Sequence, residues 1–484
     1  MGLVAAADPV PIAELGAVHF TGIGGAGMSG IARVMLAAGV AVSGSDARHS
    51  AVLDELAALG AVVHVGHDAR HLGAADTLVM STAIRRDNPE LAEAHARGLR
   101  IMHRGTALAS IMLGRRPIAV AGTHGKTTTS SMLTTALQSC GADPGYVIGG
   151  ILVSTGLGAA AGTGELFVAE ADESDGSFLL LAPDAAIVTS IEPDHLDNYA
   201  SLAQIAAAFE RFAGRIRPGG LLVTCADDPG AAALAATAAA SGHRLHLRSY
   251  GESAAADYRV TRVAAHGMGV SFQVRAGDRQ PFGINLRIPG RHNALNAAAA
   301  FAAAVELGFP AGEAAAGLGA FGGTRRRMEL KGQADGVRVL DSYAHHPTEL
   351  AADLRSARDI VGGTGLGNGR VIAVFQPHLY SRTRIFARDL GAALGLADEA
   401  FVLDVYPARE DPEPGVTGLL VADAVPGGRA QFIPDPAGVP ALVAGIAKPG
   451  DLVLTMGAGD VTALGPLMVA ALRERQGERA GEGR

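Results

Sequence analysis

The run Pro117-Ile118-Ala119-Val120-Ala121-Gly122-Thr123-His124-Gly125-Lys126-Thr127-Thr128-Thr129 constrains this chain more than any other stretch. Its apolar residues Ile118 to Ala121 predict a short strand. A glycine-bounded turn follows, and Ser130, Met132, Leu133 and Leu137 carry the chain on as a helix. The first amides of such a helix have no intrahelical acceptor and point outward, so they can hold phosphate oxygens. Gly122 and Gly125 let the backbone curl around an anion, Lys126 adds a point charge, and the Thr127 hydroxyl is placed to ligate Mg²⁺. The spacing is G-x-x-G, shorter than the G-x-x-x-x-G of the usual phosphate loop, and an ordinary strand–turn–helix is the competing reading. Lysine usage decides between them. The only lysines are Lys126, Lys331 and Lys448, and arginine supplies the rest of the positive charge. A compact ammonium fills a slot where a planar guanidinium would not fit. The stretch reads as an ATP site.

At 484 residues the chain has room for roughly three domains. Abundant Ala, Val and Leu, with 65 glycines and no tryptophan, suit α/β units joined by tight turns. A net charge of −8 and a pI near 6.1 argue against nucleic acid as a partner. Cys140 and Cys225 form neither a disulfide framework nor a metal cluster, which points to a reducing compartment. No basic segment followed by an apolar run opens the sequence, so no signal peptide is expected. The alanine-rich segment Ala231 to Ala240 is too short to span a bilayer. A cytoplasmic protein without membrane insertion is expected.

In chain order, a strand from Ala17 to Thr21 leads into Gly22-Ile23-Gly24-Gly25-Ala26-Gly27, a helix from Met28 and a second strand ending at Gly44-Ser45-Asp46. This is a G-x-G-x-x-G turn with an acidic residue about 20 positions on; it binds a nucleotide or pyrophosphate, with NAD as the default. Asn88 caps a helix that opens with Pro89. Past a boundary at Gly114, the strand Leu166 to Ala169 ends in Glu170-Ala171-Asp172-Glu173-Ser174-Asp175, where a metal ligand belongs beside a phosphate loop. The strand Ala185 to Ser190 ends in Asp194-His195-Leu196-Asp197, which either ligates metal or caps a turn. Residues 243 to 289 alternate like strands, and an alanine-rich helix runs from Ala294 to Leu307. The second boundary, Phe321-Gly322-Gly323-Thr324, precedes Arg325-Arg326-Arg327, a solvated face or a γ-phosphate clamp. The last third repeats the α/β alternation. Its strand ends carry Asp341-Ser342-Tyr343-Ala344-His345-His346, Gln376-Pro377-His378 and Asp404-Val405-Tyr406, where open parallel sheets bind ligands. Gly362 to Gly369 reads as a flexible loop, and the tail after Arg473 reads as frayed.

The phosphate loop, the run His19 to Gly30 and the run Asp341 to Glu349 together make the sequence resemble the Mur ligases, over roughly residues 14 to 473. The resemblance implies an α/β enzyme of three domains, each a mainly parallel sheet flanked by helices. An N-terminal Rossmann-like domain (1–114) would hold a UDP-sugar, a central P-loop domain (115–323) ATP, and a C-terminal Rossmann-like domain (324–484) the amino acid while closing on ATP. Within the family it is similar to the alanine-adding branch, which implies UDP-N-acetylmuramate and L-alanine as substrates, ATP and Mg²⁺ as cofactors, an acyl phosphate as intermediate, and a monomer or weak homodimer. Residue by residue, it implies Gly122, Thr123, His124, Gly125, Lys126, Thr127 and Thr128 around the ATP phosphates. It assigns Thr127, Glu170 and His195 to the metals, and His292, Asn293, Arg326, Arg327 and Asp341 to the nucleotide. Gly22, Gly24, Gly25, Gly27 and Asp46 fall to the UDP-substrate, and Tyr343, His345 and Arg382 to the amino acid. Lys126, Glu170, His195 and Arg327 would carry the chemistry. Two departures stand out. No lysine lies between His195 and Pro218 to become the carbamylated lysine of several relatives, in keeping with the alanine-adding branch. Leu379 stands where some members of that branch carry arginine, which leaves Arg382 or Arg384 as the cation for the amino-acid carboxylate.

Two other classes compete. An NAD-linked oxidoreductase built on the first glycine turn leaves Lys126, Glu170 and the arginine triplet without a role. A nucleotide switch needs neither an amino-acid site nor a second metal.

Overall fold

The computed structural model describes residues 8–194, 198–199, 201–277, 280–363, 369–408 and 410–482. Its strands form three sheets flanked by helices, which is the expected α/β class. The first is fully parallel, with β1 (Val18–Thr21), β2 (Val42–Asp46), β3 (Val62–Val65), β4 (Thr77–Met80) and β5 (Arg100–His103) in the order β3-β2-β1-β4-β5. The second holds β6 (Arg116–Ala121), β7 (Gly145–Val147), β8 (Ala159–Ala160), β9 (Leu166–Glu170), β10 (Ala185–Val188), β11 (Leu221–Cys225), β12 (His246–Gly251), β13 (Tyr258–His266), β14 (Gly269–Ala276) and β15 (Phe282–Leu286). Their order is β15-β14-β13-β12-β11-β10-β6-β9-β7-β8, parallel from β7 to β13. The third comprises β16 (Glu329–Ala334), β17 (Val337–Ser342), β18 (Val371–Phe375), β19 (Glu399–Leu403), β20 (Ala430–Ile433) and β21 (Leu452–Met456), in the order β16-β17-β21-β18-β19-β20. Only β16 runs antiparallel there.

Compactness divides the chain into two units. One holds residues up to 261 with 273–284 and 295–321, and the other 262–272, 285–294 and 322–484. The pair His292–Asn293, which the sequence places in a middle domain, therefore groups with the third sheet.

The central strands are continuous apolar runs because helices cover both their faces: Ile118, Ala119, Val120 and Ala121 are wholly buried. Helix starts follow the capping chemistry. Asn88 accepts from the amides of Glu90 and Leu91 with Pro89 at the first turn, and Asp228 accepts from Ala231. The alanine-rich helix begins three residues earlier than its alanines suggest, at Arg291, and runs to Glu306. Its alanines from 297 to 304 are buried on every side, which only small side chains permit.

The tail departs from expectation. The last helix, Leu464–Glu482, continues well past Arg473. Arg475 pins it, donating to the carbonyls of Ala444 and Ala447 and pairing with Asp335 at 2.7 Å. The helix Pro347–Gly362 fills the approach to the expected loop, whose residues 364–368 lie outside the described set. Strands β5, β7, β8, β16 and β20 are short or half-polar, and their sequences carry no clear alternation.

Candidate active site

In the first sheet β1 lies between β2 and β4, so the chain leaves it in opposite directions on its two sides and a crevice opens at its carboxyl end. The glycine turn sits there. The amides of Gly22 and Ile23 donate to Ser45 O at 2.8 and 2.9 Å, and Gly24 N donates to Asp46 Oδ2 at 2.9 Å. Gly25 then caps the helix Ala26–Ala37, with Gly27 in its first turn. Gly22 has φ of 81°, open to glycine at little cost. Asp46 thus braces the turn from within. Beneath it lies Glu90, wholly buried, which accepts from Thr21 Oγ1 at 2.8 Å and Ser45 Oγ at 2.7 Å, with His19 Nε2 at 3.4 Å and His71 Nδ1 at 3.3 Å. Burial alone would raise its pKa, but the neighbouring His19 imidazole and the hydrogen bonds from Ser45 and Thr21 pull it down to about 2.

The phosphate loop occupies the matching place in the second sheet, where β6 runs between β10 and β9. Gly122 has φ of 129° and Gly125, at the start of the helix Lys126–Ser139, φ of 81°. A Cβ on Gly122 would lie 2.1 Å from Thr189 Oγ1, and one on Gly125 2.6 Å from Asn296 Oδ1, so both positions demand glycine. Thr123 is tied to the end of β10: its amide donates to Ser190 O at 2.8 Å and its hydroxyl accepts from Glu192 N at 2.8 Å. His124 N donates to Ser190 Oγ at 3.1 Å. Thr128 is buried in the first helical turn.

Lys126 Nζ donates to Gly122 O at 2.6 Å, Thr123 O at 3.2 Å and Glu173 Oε1 at 2.7 Å. Burial works against the ammonium, but Glu173, with Asp172 and Glu170, raises its pKa above the ordinary value, and it stays charged. Glu170, at the end of β9, accepts from Thr127 Oγ1 at 3.1 Å and from Gly149 N at 2.7 Å. A hydroxyl and a carboxylate this close are the hard oxygen donors that suit Mg²⁺. His195, the third expected ligand, lies outside the described residues.

The second unit gathers its own set. Arg326 donates to Gly457 O at 2.6 Å and Gly459 O at 3.0 Å, and its guanidinium lies 4.9 Å from the centre of the Tyr343 ring. Arg327 lies 5.2 Å from the same centre. Asp341 is wholly buried and accepts from Thr455 Oγ1 and Thr462 Oγ1, each at 2.7 Å, with Arg326 Nε at 3.5 Å and Lys331 Nζ at 3.7 Å. A row of rings, Tyr343, His345, His378 and Tyr406, lines the carboxyl ends of the strands, with neighbouring centres 5.3, 5.8 and 5.9 Å apart. His346 closes a capping box with Glu349. Asn293 Nδ2 donates to Pro289 O at 2.6 Å, and His292 Nε2 lies 3.7 Å from Asp353 Oδ1. Burial, with Arg327 nearby, lowers the His292 pKa, so the ring is neutral. The two candidate carboxylate cations differ: Arg382 is buried, whereas Arg384 is largely exposed and pairs with Glu413 at 3.0 Å. Leu379, beside them, has φ of 66° and is buried.

Consecutive segments match the family descriptions "Mur ligase family, catalytic domain" (17–116), "Mur ligase middle domain" (120–304) and "Mur ligase, glutamate ligase domain" (326–459). The UDP-N-acetylmuramate–L-alanine ligase of Thermobifida fusca is 55% identical over 475 residues, covering 98% of this chain and 100% of that protein. The chain belongs to the Mur ligase family. The protein of the same name from Kineococcus radiotolerans is 56% identical over 469 residues, 96% of this chain and 98% of its own. A crystal structure of the UDP-N-acetylmuramate–alanine ligase of Thermotoga maritima superposes with a TM-score of 0.76 at 27% identity, covering 97% of this chain and 100% of that one. As a Mur ligase, the chain is an ATP-dependent amide-forming enzyme of peptidoglycan synthesis. Among the described residues no helix is long and apolar enough to cross a membrane.

Sequence reasoning passed over three site-side groups. Glu173 was one carboxylate among several in a loop, and periodicity does not say which of them faces Lys126. Arg104 follows β5, which carries no phosphate-loop signal. Asp353 had a legible mark: it shares a helix face with Leu350, Leu354 and Ala357, so an acid interrupts an apolar stripe.

Proposed function

We propose that this Mur ligase joins L-alanine to the lactyl carboxylate of UDP-N-acetylmuramate through an acyl phosphate. The observation that carries the reading is the end of β6, where the glycine cradle, Lys126 and the Thr127–Glu170 pair meet at one point. The names of relatives 55% identical over nearly the whole chain support the choice of substrates.

A carboxylate is a poor acyl donor because its leaving group would be oxide. Transfer of the γ-phosphoryl makes that oxygen part of phosphate, and the amine can then attack the acyl carbon. Residues 122–128 would hold the ATP phosphates, with the Lys126 ammonium exchanging protein oxygens for phosphate oxygens. Thr127 and Glu170, with His195, would hold Mg²⁺, which when bound neutralises charge as nucleotide and acid approach. Arg326 or Arg327 would be the γ-phosphate arginine, and Asp341 a further nucleotide contact. His292 and Asn293 are assigned to the nucleotide, and the turn Gly22–Gly27 with Asp46 to the UDP-substrate. Tyr343, His345 and Arg382 are assigned to alanine; its burial favours Arg382 over Arg384. Domain limits are placed after residues 114 and 323, and the working form is a monomer or weak homodimer in the cytoplasm.

The test is ADP release, which should require both the UDP-sugar acid and alanine. With ¹⁸O in the acid's carboxylate, one labelled oxygen should enter the phosphate released with each amide. Unlabelled phosphate formed at the rate of amide would sink the acyl phosphate. Release of ADP without either substrate would favour a nucleotide switch.

A further inference from the structure

The acidic loop after β9 sends its carboxylates two ways. Glu170 and Glu173 face the phosphate loop, as described above. Asp172 and Asp175 face Arg104, the first residue of the helix Arg104–Ile111 that follows β5. Arg104 Nη2 donates to Asp172 Oδ2 at 2.7 Å and to Asp175 Oδ2 at 3.0 Å. His103 caps that helix by accepting from Gly105 N at 3.1 Å, and its Nε2 lies 3.5 Å from the same Asp175 oxygen. On its other side Arg104 packs on the helix that follows the glycine turn, where a Cβ on Gly27 would lie 3.3 Å from Nη1. A cavity of about 200 Å³ runs from Ala26 and Gly27 past Arg104 to Gly149 and Glu170.

Four carboxylates within six residues repel one another, and a loop that carries them needs fixed cations to keep its shape. Lys126 supplies one from the phosphate loop and Arg104 another from the helix after β5. Asp172 lies only two residues beyond Glu170, the last residue of β9. We propose that Arg104 is a positioning residue for the metal carboxylate: by gripping Asp172 and Asp175 it keeps Glu170 against Thr127. The proposal rests on the ligase reading above. It makes metal-dependent ADP binding sensitive to a residue whose hydrogen bonds go to Asp172 and Asp175.

Calorimetric titration of ADP into the full-length chain at graded Mg²⁺ tests this without turnover. Partners that orient a metal ligand typically change metal affinity ~10–100-fold, so Arg104→Ala should raise the Mg²⁺ needed for half-maximal binding ~10-fold or more. ADP binding in EDTA should change far less. Asp172→Asn should raise the Mg²⁺ requirement several-fold, and the double variant should lose less than the two single losses multiplied, because the Arg104–Asp172 contact is shared. A Mg²⁺ requirement within about twofold of wild type, equal losses with and without Mg²⁺, or losses that multiply in the double variant each overturn the proposal. If Arg104→Ala does not fold by circular dichroism, Arg104→Lys and Asp172→Asn carry the test, and two unshifted Mg²⁺ curves overturn it. A wild-type chain that binds no ADP in Mg²⁺ overturns the ligase reading instead.

Discussion

Replacing Asp353 by asparagine should make the protein more stable, and more so as the pH rises. The side chain is buried in the helix Pro347–Gly362, where Oδ2 accepts from Ser342 Oγ and Oδ1 lies 3.7 Å from His292 Nε2. Burial raises its pKa from 3.8 to about 7; the Ser342 hydrogen bond opposes the rise and Glu349 adds to it. The folded chain therefore holds a proton that the unfolded chain releases. By linkage, the stability this proton confers is complete below pH 3.8 and lost as the pH rises towards and through 7. At about 1.4 kcal/mol per pH unit, the cost at pH 8 is about 4 kcal/mol, an upper figure. Asparagine keeps the shape, stays neutral and can still hydrogen-bond Ser342. In thermal unfolding from pH 4 to 8.5 the two proteins should coincide at the acid end. At pH 8 the variant's transition should lie roughly 10 °C higher, taking about 2–4 °C per kcal/mol for a unit of this size. A constant offset across the range, or a less stable variant at pH 8, would refute the reasoning.

Lys126→Ala should lower turnover by ~10²-fold or more while the circular dichroism stays unchanged, because one preorganised charge contact on a transferring phosphoryl contributes ~3–4 kcal/mol. Near-normal turnover would dismiss the phosphate loop. Arg475→Ala should cost about 1–3 kcal/mol, since the two carbonyls and Asp335 lose a charged partner. Limited proteolysis should then cut the last helix; resistance equal to wild type would show that the arginine does not pin it.

The glycine cradle around Lys126 was legible because its determinants are local. Strand, glycines, lysine and threonine lie within 13 residues, and each glycine proves to be sterically required. The placement of Glu170 was legible as a strand end beside that loop. What lay outside the sequence signal is long-range. The Arg104–Asp172 bond spans 68 residues, and the Lys126–Glu173 bond 47, and no periodicity encodes either. The frayed tail was misread for a similar reason: a charged, glycine-dotted end looks solvated until Arg475 finds carbonyls 28 and 31 residues away. Arg382 and Arg384 were indistinguishable as two cations in one helix, and only burial separates them.

The loop's ties to β10 also set a timetable for synthesis. Thr123 and His124 are held by Ser190 and Glu192 through bonds that span 66 to 69 residues, and β6 has β9 and β10 as its neighbours. A nascent chain that has emerged only as far as the loop's own helix possesses the glycines and the lysine but not the walls that shape them. Contacts this distant form late, after their closure entropy is met. Ribosome-bound chains of increasing length should therefore show no nucleotide affinity until residue 192 has cleared the exit tunnel.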